Sequence, residues 1–206
     1  LALAAGFVIG SACHAADWSL QFNGTNQYVT FGAATTTLGV TNFTLECWFK
    51  RTGSGQTTTT GSGGLTAIPL VAKGRGEADG DNRDCNYFLG IASNGVLGAD
   101  YEEGAGQTSP GLNHPITGTT VISNHQWYHG AVTFDGQTLR LYLNGQLEAS
   151  VGVGPNRLPR HDGIQHASLA SALNSSGQAN GYFAGRLDEV RLWNHARSQA
   201  EILSTL

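Results

Sequence analysis

Methionine is absent from the 206 residues, lysine occurs only at Lys50 and Lys73, and charged side chains make up 13% of the chain. Soluble chains average about 25% charged residues, so a coiled coil or a protein of long surface helices is excluded. Lysine and arginine total 11 against 15 acids, a formal charge of −4. That leaves no basic field of the kind that neutralises nucleic-acid phosphates. Long apolar runs are missing too, since the most apolar segment, near the start, is shorter than the roughly 20 residues of a membrane-spanning helix. What is abundant is glycine, 29 residues, about twice the usual share. A single sandwich or barrel of this length is ordinary and buries a proper core.

The first residues read as a targeting segment. Residues 1–12 (LALAAGFVIGSA) are uncharged and apolar, end in small residues and precede Cys13-His14-Ala15-Ala16. This pattern predicts a secretory signal peptide over residues 1–15 that lacks its charged start, cleaved after Ala15. The alternatives are a buried first helix, or a lipoprotein signal acylated at Cys13; for the latter, Gly10 stands where a branched apolar residue is wanted. The expected domain is therefore 16–206, secreted, and one module of a larger extracellular chain. Removal of Cys13 leaves Cys47 and Cys85 as an even pair in an oxidising compartment, which predicts a disulfide between them. Two separately buried thiols are the alternative.

Period-two patterning dominates the rest. Trp18, Leu20 and Phe22 share a parity before Asn23-Gly24, and Tyr28 to Phe31 follow in a hairpin-like start. Phe43, Leu45, Cys47 and Phe49 alternate with Thr44, Glu46, Trp48 and Lys50, a strand with one buried face. From Arg51 to Ala67 nearly every residue is Gly, Ser or Thr, a composition expected to form a mobile surface loop. Asn86 to Ile91 and Val96 to Tyr101 are strands about a Ser93-Asn94-Gly95 turn. Residues 126–151 predict a three-stranded meander, with turns at Asp135-Gly136 and Asn144-Gly145. Tyr182 to Trp193 is the last strand, and Ser198 with Glu201 has capping-box spacing for a short terminal helix. Short strands, many turns and almost no helix give an all-β, antiparallel two-sheet sandwich.

Four stretches, LQFNGTNQYVTF (Leu20 to Phe31), FTLECWFK (Phe43 to Lys50), WYHGAVTFDGQTLRLYLNGQL (Trp127 to Leu147) and GYFAGRLDEVRLWNHARSQAEI (Gly181 to Ile202), carry a family resemblance. In order and spacing the chain resembles the laminin G-like branch of the concanavalin A-like lectin and glucanase superfamily. The resemblance implies a jelly roll with its first and closing strands side by side. It implies much less about function, because this superfamily includes lectins, glycosidases, adhesion modules and spacers. In the closing strand Leu187 lies on one parity and Val190 and Leu192 on the other, so a bulge at Asp188-Glu189 is needed to turn all three inward.

The richest chemistry lies between Glu77 and Glu103, where seven acids accompany one arginine, Arg83. Asp79, Asp81 and Asp84 crowd one turn-prone loop, and hard oxygen ligands at short spacing suit calcium. A solvated acidic loop is the alternative, and the resemblance suggests another calcium position, beside Asn23 and Asp188. Zinc is not expected: His125 and His129 would stand roughly 13 Å apart on an extended strand, too far for bonds near 2.1 Å. Glycosidases of this superfamily set a nucleophile and an acid at alternating strand positions, and no such spacing occurs, so the chain is read as non-catalytic. Sugar binding needs aromatic faces beside fixed polar groups. The candidates are Trp48, Tyr101 and His114, with Tyr128, Tyr142 and Asn113 behind them; core packing is the alternative for each of these aromatics, and Trp18, Trp127 and Trp193 are expected in the core. The expected function is recognition of a glycan or glycosylated surface; a structural or protein-adhesion module without a sugar site is the rival.

Overall fold

The structure is a computed structural model that describes residues 18–206; the expected signal peptide and Cys13 fall outside the described residues. In chain order the strands are β1 (Leu20–Asn23), β2 (Val29–Thr30), β3 (Phe43–Arg51), β4 (Thr58–Thr59), β5 (Thr66–Lys73), β6 (Tyr87–Ala92), β7 (Val96–Asp100) and β8 (Ile116–Val121). They continue with β9 (Trp127–Phe134), β10 (Thr138–Leu143), β11 (Gln146–Gly152), β12 (Ala167–Leu169), β13 (Ser171–Leu173), β14 (Ala179–Tyr182) and β15 (Ala184–Trp193), before helix α1 (Gln199–Leu203). One sheet has the order β1-β15-β3-β9-β10-β11; the other runs β2-β12-β5-β6-β7-β8 with β4 beside β5. All pairings in both sheets are antiparallel, and the two face each other as the sandwich the patterning implied, in the jelly-roll form the resemblance implied.

The core follows from alternation. Phe43, Leu45, Cys47 and Phe49 of β3 and Val132 and Phe134 of β9 meet Leu89, Ile91 and Leu97 of the opposite sheet in one cluster. The meander forms as expected, and its second turn has both Asn144 (φ 50°) and Gly145 (φ 72°) in the left-handed region, the geometry that favours Asn-Gly. The β15–β3 register slips between Asp188 and Arg191, and Glu189 takes φ 46° there, so the bulge turns Val190 and Leu192 toward the core beside Leu187. Ser198 and Glu201 form the reciprocal capping box, and α1 buries Ile202 against Ala131 and Tyr142 on the outer face of the first sheet.

Three expectations need correction. The segment from Arg51 to Ala67 is not a free loop: it forms β4, which pairs with β5, and buries Thr58, Thr60 and Leu65. Leu65 and Ala67 join Ala72, Phe88 and Val96 in a second cluster behind the second sheet, so this polar stretch packs over the back of that sheet. Cys47 and Cys85 are free, buried thiols rather than a disulfide. Cys47 sits between the sheets and Cys85 in the cluster behind the second one, whereas a disulfide needs Cβ atoms about 3.8 Å apart. Of the tryptophans expected in the core, Trp18 is 86% exposed, and Trp127 and Trp193 are half-buried on the outer face of the first sheet. Of the other aromatic candidates, Tyr101 and Tyr128 pack in the core, and Tyr142 is buried beneath α1.

Candidate functional site

The end of β7 and the loop into β8 carry a tier of buried acids. Strand alternation sends Tyr101 between the sheets and its neighbours Asp100 and Glu102 to the other side. Asp100 accepts hydrogen bonds from Thr60 Oγ1 (2.5 Å), Leu65 N (3.0 Å), Tyr101 N (2.8 Å) and His114 N (2.8 Å). Burial nevertheless pushes its pKa up to about 7. Glu102 accepts from Cys85 N and from Asn113 Nδ2 (3.2 Å). Burial raises it to about 9, with Asp84, Asp100 and Asp79 adding to the push. Glu103, fully buried, is the one that reaches a surface feature.

Glu103 Oε1 accepts from Arg157 Nη1 and lies 2.8 Å from His114 Nε2, while Oε2 accepts from Ser109 N (2.7 Å). Single bridges Glu102–Asn113 and Glu103–Pro159 tie the three loops together. Tyr101 stacks on His114, ring centroids 4.8 Å apart and planes at 28°, and its hydroxyl donates to Arg157 O (2.7 Å). His114 and Arg157 thereby stand side by side in an open cleft of about 320 Å³, with Leu112, Asn113 and Pro115 along one wall and Val151, Gly152 and Val153 along the other. Leu112 and Val151 are substantially exposed. A carboxylate opposite His114 Nε2 fixes the proton on that nitrogen, which makes Nδ1 an acceptor in the neutral ring. Burial lowers the His114 pKa, against the pull of Glu103, so the neutral ring prevails at neutral pH.

The expected ligand residues are therefore separated. Tyr101 and His114 come together, but Tyr101 backs His114 from inside the core. Trp48 lies elsewhere, half-buried on the outer face of the first sheet between Asp188 and His129, with its ring 5.5 Å from that of His129. Nearby, Lys50 Nζ sits 5.2 Å from the centre of the Trp127 ring. His129 is the packed strand residue expected of it, fully buried.

The calcium loop does not converge either. Asp81 is taken by Arg83, and burial-raised Asp84 is paired with Arg160 and Gly80 N, while Asp79 is exposed. Among the described residues, no three His, Cys, Asp or Glu side chains are gathered as for a metal ion. The alternative pair is split as well: Asn23 lies opposite Ala184, four residues along β15 from Asp188, and its side chain accepts from Thr25 N and Asn26 N within its own turn.

A laminin G model described as Concanavalin A-like lectin/glucanases superfamily matches residues 23–203. The chain belongs to this superfamily. Human and mouse pappalysin-1 are 27% and 26% identical to this member over 174 residues, 80% of the chain but 10% of those proteins. The chain thus spans about a tenth of the curated relatives it matches. Among solved structures of the superfamily fold, the Ruminococcus gnavus IT-sialidase CBM40 bound to alpha2,3 sialyllactose aligns over 90% of this chain and 95% of its own (TM-score 0.64, 14% identity). A SAP-like pentraxin from Limulus polyphemus aligns over 89% and 78% (TM-score 0.55, 17% identity). The NanB sialidase of Streptococcus pneumoniae aligns over 90% of this chain and 27% of its own (TM-score 0.65, 19% identity). At these identities the likeness is one of fold.

Within that fold, sequence reasoning missed Arg157, Leu112, Val151 and Val153. Arg157 is 54 residues from Glu103 and carries no local motif. Its one sequence cue is an arginine that follows Gly154-Pro155-Asn156 in a loop.

Proposed function

We propose that this chain is a non-catalytic recognition module that binds carbohydrate in the cleft between residues 112–115 and 151–157, as an extracellular part of a longer protein. The observation that carries the reading is Glu103, which holds His114 and Arg157 side by side in a cleft that also presents Leu112, Pro115, Val151 and Val153. Apolar walls with a few fixed polar groups are how small ligands are oriented, and Leu112, Pro115, Val151 and Val153 offer surfaces for the C–H faces of a sugar. The non-catalytic reading is supported by the family match. The fold likeness to a carbohydrate-binding module and the partial match to much longer relatives point the same way. A glycan-array screen of the folded chain tests the reading. Reproducible binding to one glycan class, abolished by Val151→Asp, is expected. A blank array from folded protein would transfer the assignment to a structural or protein-adhesion module.

A further inference from the structure

The polar half of the cleft has a definite donor and acceptor pattern. Glu103 engages Nη1 of Arg157, and no other side-chain nitrogen of Arg157 has a partner among the described residues. The Nε–Nη2 edge is therefore an intact two-donor fork, already held in place. Guanidinium forks of this kind match the two oxygens of a carboxylate, with charge assistance. Beside it, His114 Nε2 is occupied by Glu103, which leaves Nδ1 to accept from a hydroxyl or amide. The fully buried Glu103 orders both groups before any ligand arrives, so little side-chain entropy remains to be lost on binding.

We propose, resting on the glycan-recognition reading above, that the cleft selects sugars that carry a carboxylate, with Arg157 as the residue that reads it. The carboxylate lies along the Nε–Nη2 edge of Arg157, a neighbouring hydroxyl or N–H donates to His114 Nδ1, and the sugar's apolar face rests on Val151 and Leu112. Ionic strength then weakens binding, since the fork meets an anion at a site open to solvent.

Methyl β-glucuronide and methyl β-glucoside differ only at C6, a carboxylate against a hydroxymethyl group, so they isolate the inference in wild-type protein. Calorimetric or NMR titration is expected to show at least tenfold tighter binding of the glucuronide, and the same preference for sialyllactose over lactose. Arg157→Lys keeps the charge that satisfies Glu103 but loses the fork, and is expected to erase that preference. Equal binding of acidic and neutral sugars, or a preference unchanged in Arg157→Lys, overturns the inference and leaves glycan recognition standing. Folded protein that binds none of the four overturns both.

Discussion

Glu148 of β11 clasps Thr120 of β8 across the open side of the sandwich. Its Oε1 accepts from Thr120 Oγ1 (2.8 Å), and its Oε2 from the backbone N–H groups of Thr119 (2.7 Å) and Thr120 (2.9 Å). These are edge strands of different sheets, joined where β8 slips its register with β7 between Val96 and Gly98. One carboxylate thus satisfies edge amides and fastens the sheets together, covering backbone that would otherwise be open to strand pairing with another chain. Burial nudges Glu148 upward, but the hydrogen bonds from Thr119 and Thr120 outweigh it and hold its pKa below the usual value. Its contribution is present above the ordinary glutamate pKa and is lost as pH falls through the lowered one. Glu148→Ala is expected to cost about 1 kcal/mol at neutral pH, discounted for its exposure. Urea melts of the variant should converge with wild type near pH 3, and a constant gap across pH would contradict the clasp.

The cysteines make a second test. Burial pushes the Cys47 and Cys85 thiols well above the ordinary range, so both should resist alkylation in native protein and label only on unfolding. Reductant should leave the melting temperature unchanged. A native Cys47–Cys85 disulfide peptide in a mass spectrum would refute the separation of the two clusters.

Removing residues 53–64 should be severe, although loop shortening by itself changes closure entropy only slightly. Thr60 supplies one of four hydrogen bonds to fully buried Asp100, and Leu65 closes the cluster behind the second sheet. Thr60→Val is expected to cost about 1–3 kcal/mol through the unsatisfied carboxyl. Differential scanning calorimetry decides; a change below experimental scatter would mean that the segment is not packed.

Two buried groups set opposite pH limits. Burial lowers His129 to about 4, so its contribution is complete above the unfolded value near 6.5 and is lost as pH falls toward 4. Glu102 is raised to about 9, so its contribution is complete below the unfolded value near 4.5 and is lost as pH rises through 9. Between about pH 4.5 and 6.5 the two effects oppose each other, so the net loss these two groups cause lies above about pH 6.5. Glu102→Gln should flatten the limb above pH 6.5 and uncover the His129 loss below it, as read by chemical denaturation from pH 4 to 9. An alkaline limb unaltered in that variant would assign the loss to another group.

Much of the fold was legible because alternation is local: β3, the meander, the β15 bulge and the α1 cap each announce themselves within about ten residues. The second sheet was harder. Its central strand β5 carries Pro69, normally a sign against a central strand, and accommodates it at a register shift between Pro69 and Val71. β8 is half threonine, and β12, β13 and β14 are too short for a period to show. The candidate site was half legible. His114 and Asn113 were readable as a polar pair on a loop, but their alliance with Arg157 depends on a long-range contact, and parity alone does not say which of two faces Tyr101 occupies. The glycine- and threonine-rich run misled for a related reason: its composition describes hydrogen-bonding capacity, and Thr60 uses that capacity on a buried acid.

The single buried carboxylate behind the cleft also divides the labour of change. His114 and Arg157 share one anchor in Glu103, so altering any of the three disturbs the other two, and drift at these positions is penalised together. Leu112 and Val151 stand at the solvent edge with no such obligation. Exchanging these two rim residues leaves the Glu103 contacts to His114 and Arg157 intact.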